Sequence, residues 1–294
     1  MRIITLLARH GTSKYVDAVE DCDALFARQL PDVERELLII DNSLPTEYEE
    51  HLNRDRILIG ASDEQREFSS WDCGISHLGQ RIYDYDLVHL ATSAFRVLYT
   101  RYLDRFDTEM LGLVRGRGAV VGHIDYYNEP VTLLGRSLQA WVRSSFMFLP
   151  PEELALLGSL VSVTNREAFF SEKPDAPFRP DSPLSSNYRK YILDWLTGTG
   201  TGQGVEWHSR FRLTAENLNF FKAKATAILN EQMLGVRLRA QGCALVDATW
   251  LATRCRELRA GQSLGSIPSW RLQVTTRDTD PAPDKLMCPY WLQS

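Results

Sequence analysis

Apolar residues over the first hundred positions come in short blocks, and the blocks alternate between two periods. Residues 2–8 (RIITLLA) and 36–41 (ELLIID) carry apolar runs of strand length. Runs this short and this β-branched read as strands of a parallel sheet covered on both faces. The second run ends at Asp41-Asn42-Ser43, and Pro45 stops further ladder pairing. Between them, Ala18, Val19, Cys22, Leu25, Phe26 and Leu30 recur at helical spacing, so 17–29 is a crossover helix and the whole a β-α-β unit. Residues 47–53 are expected to form a short helix and 56–60 (RILIG) a third strand. Over 70–83, Trp71, Ile75, Leu78 and Ile82 share one helical face, and 85–91 (YDLVHLA) is a fourth strand ending at Thr92-Ser93. Strands alternating with helices at this interval imply a mostly parallel sheet with right-handed crossovers.

From residue 104 the pattern loosens. Residues 118–124 (GAVVGHI) and 141–149 (WVRSSFMFL) read as further strands, the latter closed by Pro150-Pro151, and a helix over 152–157 starts at those prolines. Residues 171–187 carry four prolines and cannot be regular structure, and 197–204 (TGTGTGQG) is expected to be a flexible loop. That loop lacks a Gly-Lys-Ser/Thr ending, so it is no P-loop. Residues 214–241 are helical, as one long helix or as two meeting at Asn230, and 243–247 is a strand. The expected fold class is α/β, a mostly parallel sheet flanked by helices over 1–255, with a C-terminal extension over 256–294.

The 294 residues suffice for one large or two small domains. Hydrophobic residues at 44% and charged residues at 24% are ordinary globular composition, and a net charge of −5 gives no reason to expect nucleic acid. Five scattered cysteines (22, 73, 243, 255 and 288) form no C-x-x-C pair, which argues for a reducing compartment and against a disulfide or zinc framework. No apolar run approaches 18 residues, so no transmembrane segment is expected. With a strand at the N-terminus and no signal peptide before it, the expected localisation is cytoplasmic. Basic residues over 235–259 form either a solvated helix face or a membrane patch, which keeps peripheral association with the inner membrane face open.

Two stretches suggest chemistry. Ligands of open α/β sheets bind beyond the carboxyl ends of the strands, where Asp41 could accept hydrogen bonds from a base or ribose. The plainer reading of Asp41-Asn42-Ser43 is turn chemistry. In 230–242 (NEQMLGVRLRAQG), an Asn230 cap would put Glu231 in a helix first turn, where the macrodipole keeps it ionised. Leu234 and Leu238 share its face, so the carboxylate could serve as an inward general base; otherwise it simply complements the dipole. Trp195, Trp207, Phe220 and Phe221 suit either a core or a sugar-binding face.

The same run resembles the E-D-x-x-L-x-x-R-L-x-x-x-G pattern of inverting glycosyltransferases with the GT-A fold. Asn230-Glu231 stands at the acidic pair, Leu234 at the Leu, Arg237-Leu238 at the Arg-Leu and Gly242 at the Gly. Residues 67–74 (EFSSWDCG) and 85–95 (YDLVHLATSAF) resemble the subgroup near rhamnan-synthesis and O-antigen glycosyltransferases. The resemblance implies transfer of a sugar from a nucleotide-sugar donor to a glycan or glycolipid acceptor, with Glu231 as catalytic base. It implies a donor site drawn from Arg9, Asp41, Asn42, Ser43, Trp71, Asp72, Ser93 and Arg96. Two departures stand out. The first acidic residue is Asn230, and Ala91-Thr92-Ser93 stands where the family usually places an Asp-x-Asp for Mg²⁺ or Mn²⁺. Hydroxyls replace carboxylates poorly on a hard cation, so the expectation is no metal site and no resident cofactor. A metal site relocated through Asp72 or Asp125 stays open. Without a metal, Arg9 and Arg96 would offset the charge of the leaving diphosphate.

Two other functions fit parts of the chain. Residues 7–11 (LARHG) resemble the start of the histidine phosphatases, with His10 as nucleophile and His123 as a loose match to their second histidine. A sugar- or nucleotide-binding relic without activity would share the fold and lack the metal motif.

Overall fold

The computed structural model of the chain describes residues 1–97, 101–198, 211–258 and 264–277. Its strands are β1 (Arg2–Arg9), β2 (Glu34–Asp41), β3 (Glu49–Asn53), β4 (Arg56–Gly60), β5 (Leu87–Thr92), β6 (Ala119–Gly122), β7 (Ile124–Leu133), β8 (Arg136–Val142), β9 (Phe146–Leu149) and β10 (Ala244–Asp247). The α-helices are α1 (Ala18–Gln29), α2 (Glu67–Leu78), α3 (Thr108–Val114), α4 (Pro151–Leu157), α5 (Ser186–Thr197), α6 (Leu218–Ala240), α7 (Ala248–Glu257) and α8 (Trp270–Thr276). Two compact units divide the chain. The first comprises residues 1–124, 142–160 and 237 onward, and the second residues 125–141 and 161–236.

The first unit is an α/β layer structure on one eight-stranded sheet of order β10-β6-β9-β5-β1-β2-β4-β3. β1, β2, β4 and β5 run parallel, as do β10 and β6, while β9 lies antiparallel between β5 and β6. The long apolar runs of β1 and β2 follow from coverage on both faces. Leu37 and Ile39 join Cys22, Leu25 and Phe26 of α1 in one core. Leu38 and Ile40 face α2, where a Cβ on Gly74 would lie 2.5 Å from Ile40 Cδ1. Residues of β9 (FMFL) are buried throughout, as an inserted central strand requires. Cys22, Cys73, Cys243 and Cys255 are free thiols. Burial pushes Cys22 up to about 11, which keeps it an unreactive thiol.

Several expectations are corrected. Residues 49–53 form strand β3, not a helix; all five are exposed, and the strand pairs antiparallel with β4 at the sheet edge. The β2–β4 connection is tight, since a Cβ on Gly60 would meet the Pro45 carbonyl at 1.7 Å. The expected strand 141–149 is two strands, because residues 143–145 break it between β8 and β9. Of the two alternatives for 214–241 the structure shows the single helix, α6 (Leu218–Ala240), which passes through Asn230 without a break. The extension from 256 contributes to the first unit: Gln273 of α8 is fully buried, donates to the Leu245 carbonyl (2.8 Å) and accepts from Asp247 N (2.8 Å).

The second unit contains the β7–β8 hairpin, α5 and most of α6. Leu134 (φ 50°) and Gly135 (φ 72°) turn the hairpin with two left-handed residues, the arrangement that matches strand twist. Its core is aromatic, with Tyr127, Trp141, Tyr188, Trp195 and Phe221 buried. A polar thread crosses it: Tyr188 OH donates to Gln232 Oε1 (2.6 Å), and Gln232 Nε2 donates to Tyr127 OH (2.9 Å). Residues 199–204 of the expected glycine-rich loop, Trp207 and Cys288 lie outside the described residues.

Candidate functional site

Arg9 and Asp41 are direct register partners at the carboxyl ends of β1 and β2. Chain order reverses beside them, because β1 lies between β2 on one side and β5 on the other. Such a reversal leaves a crevice at the carboxyl edge, where open α/β sheets bind ligands. Pairing of β1 with β2 and β5 fixes the register in which each strand end delivers its side chain there.

Asp41 organises that edge from within. Its carboxylate is 3% exposed. Oδ2 accepts from Arg9 Nε at 2.7 Å, and Oδ1 accepts from Gly11 N (2.8 Å), Ser43 N (2.9 Å) and Ser43 Oγ (2.6 Å). Gly11 has φ 64°, a conformation that glycine adopts without strain and that turns its N–H toward the carboxylate. Burial alone would raise the Asp41 pKa, but the Ser43 hydroxyl, the Gly11 and Ser43 N–H groups and Arg9 outweigh it and hold the pKa below the usual range. The carboxylate therefore ties the loop after β1 to the turn after β2. Ser43 is exposed beside it.

Asn42 extends the tie toward α2. Its Nδ2 donates to Asp63 Oδ1 (2.9 Å) and the Arg66 carbonyl (3.3 Å), and its Oδ1 accepts from Ser70 Oγ. Trp71 is fully buried, with its ring edge-on to Phe68 and Nε1 donating to the Leu6 carbonyl (3.1 Å), so it belongs to the core under the sheet. Asp72 holds the turn after α4, accepting from Ser159 Oγ (2.5 Å) and Leu160 N (2.7 Å). Ser93 follows β5 and is half-buried, its N–H donating to the Ala8 carbonyl (2.8 Å). Arg96 is exposed and extends to Asp21 of α1 (3.3 Å). An exposed pair of this kind holds its side chains only weakly.

The structure thus gathers Arg9, Asp41, Asn42 and Ser43, while Trp71 serves packing and Asp72 a turn. Glu231 belongs to the second unit and is half-buried in mid-helix. The capping argument for Glu231 is corrected: Asn230 is fully buried inside α6, and its Oδ1 accepts from Ser162 N and Val163 N, both at 2.8 Å. The macrodipole at a helix start therefore does not act on Glu231.

His10 is exposed near Asp63 (3.9 Å), and His123, just past β6, faces Asp247 (4.0 Å). Three strand spacings separate β1 from β6, about 14 Å, so the two histidines do not share one phosphate. Asp247 was missed as a structural centre. Fully buried at the end of β10, it accepts from Ile124 N (3.0 Å), Trp250 N (3.0 Å) and Arg277 Nη1 (2.7 Å). Its signal was visible, since 243–247, like 36–41, is an apolar run ending in Asp. Among the described residues no group of three or more His, Cys, Asp or Glu side chains is placed to hold a metal ion, and no helix is long and apolar enough to cross a membrane. A scan of the chain against protein-family models matched none, and a search of curated proteins found no match.

Proposed function

We propose that the chain is a glycosyltransferase of the GT-A type, taking a nucleotide-sugar donor at the carboxyl edge of β1, β2 and β5 and transferring its sugar to a glycan or glycolipid acceptor. The observation that carries this reading is the Arg9–Asp41 pair at the reversal of strand order, which ties the loops after β1 and β2 together at the edge where such sheets bind nucleotides. In this reading Ser43 and the main chain of the loop after β1 contact the nucleoside. Arg9, held by Asp41 but 17% exposed, offsets charge on the diphosphate. Glu231 takes the proton of the acceptor hydroxyl as the new glycosidic bond forms and the nucleoside diphosphate leaves. The carboxyl end of β5 offers Thr92 and Ser93, hydroxyls without negative charge, and the transfer proceeds without a divalent ion.

The test is a thermal-unfolding screen against nucleoside diphosphate sugars, followed by turnover with any donor that binds. A cognate donor at a hundredfold its Kd stabilises by about 2.7 kcal/mol, several degrees in Tm. Glu231→Gln is expected to keep donor binding and lose ~10²-fold or more in turnover. Turnover is expected to persist in excess EDTA; abolition by EDTA with rescue by Mn²⁺ would defeat the metal-free mechanism. Stabilisation by no nucleotide-sugar would defeat the donor site itself.

A further inference from the structure

A cavity of about 340 Å³ opens in the first unit at the amino edge of the sheet, between the second half of α1, the start of β2 and the β3–β4 turn. Phe26, Leu30 and Leu37 lie beneath it, each at most 5% exposed, so the surface it offers is mostly polar. Its wall is charged. Arg35, only 11% exposed, lies with its guanidinium 4.3 Å over the Phe26 ring and donates to Thr5 Oγ1 (3.1 Å) and Asp23 Oδ1 (3.0 Å). Arg56 donates to the other oxygen of the same carboxylate, Asp23 Oδ2, at 2.7 Å. Two guanidinium groups therefore share one carboxylate. The next acidic residue of the lining, Asp55, is 66% exposed and its nearest cation is Arg54 at 4.0 Å.

We propose that this cavity binds a small organic anion, a carboxylate or phosphate. The guanidinium groups of Arg35 and Arg56 select the anionic head, because a charge-assisted hydrogen bond strengthens where water is partly excluded. The volume lies at the lower end of the range for ligand cavities, which fits a metabolite smaller than a nucleotide-sugar. The cavity is also separate from the carboxyl edge: Arg35 and Asp41 are six residues apart on β2, about 20 Å at strand rise. The proposal stands independently of the transferase reading.

Saturation-transfer NMR and calorimetry on the full chain test it, with benzoate and phenyl phosphate as probes and neutral benzamide as control. At least one anion is expected to bind saturably and at least tenfold more tightly than benzamide. Arg56→Gln, at a position 30% exposed, is expected to weaken that binding about tenfold or more. Ala27→Trp, which places an indole at the cavity mouth from the exposed side of α1, is expected to abolish it. Both variants should keep the wild-type unfolding transition, and an excess of nucleotide-sugar should not displace the probe. Absence of saturable binding by either anion, indifference to both substitutions, or displacement by nucleotide-sugar would each overturn the proposal. If the three charged side chains serve only to tie α1 to β2 and β4, the first of these results is the one seen.

Discussion

At Asp41, desolvation and hydrogen bonding act in opposite directions, and hydrogen bonding prevails. A carboxyl group whose folded pKa lies below its unfolded one adds stability above the unfolded pKa and loses it as pH falls through the folded pKa. Asp41→Asn removes the charge that pairs Arg9, so at pH 7 it should cost on the order of 3 kcal/mol in urea denaturation. The gap to wild type should narrow only below about pH 4, near the ordinary carboxylate range. His89 responds in a different window. It is fully buried on β5, stacked on Phe148 (4.4 Å between centroids) and edge-on to Phe146 (4.1 Å). Burial, and to a smaller degree the charge of Arg35, holds its pKa well below 6.5. The unfolded chain therefore takes up a proton that the folded chain refuses, and stability falls as pH drops below about 6.5, by about 1.4 kcal/mol per unit. His89→Met should flatten the slope between pH 6.5 and 5, and an unchanged slope would assign it to another group.

At the scale of elements, continuity of α6 decides how its motif works. Asn230 spends its side-chain oxygen on the N–H groups of Ser162 and Val163, so it anchors a loop rather than capping a helix. Asn230→Ala leaves two main-chain donors without that acceptor and should cost ~2–4 kcal/mol by chemical denaturation. A loss under 1 kcal/mol would mean that the loop finds other acceptors. The same helix shows where the sequence misleads. Periodicity found the helical stretch over 214–241, but a polar Asn within it looks the same whether it ends a helix or is used from its side. β1, β2, β4, β5, β6 and β10 were legible because burial on both faces leaves a continuous apolar run. β3 was not, because all five of its residues face solvent and their order reflects charge rather than packing. The site was half legible. A strand ending in Asp pointed to Asp41, but its partners Arg9 and Gly11 come from a strand thirty residues earlier, and only register unites them. For Trp71 the spacing with Ile75 and Leu78 pointed to the core, where it lies; only the family resemblance placed it at the donor site.

At the scale of the whole molecule, residues 264–277 complete the first unit. Asp247 is a fully buried charge, and Arg277 is its cationic partner at 2.7 Å. A chain ending at Leu258 leaves that charge without its cation and should lose about 3–5 kcal/mol, seen as a lower urea midpoint and faster proteolysis. An unchanged midpoint would show that the tail is dispensable. The pairing of β10 with β6 has a consequence for biosynthesis. Ala119 finds its partner Ala244 only after 125 further residues have been made. At about 5–20 residues per second, the ribosome takes roughly 6–25 s to supply it. Through that interval Val120 and Val121 line a strand edge whose main-chain groups have no neighbour on that side, the kind of edge that recruits other chains. Yield of the folded protein should therefore depend on how well newly made chains are kept apart until the last strand emerges.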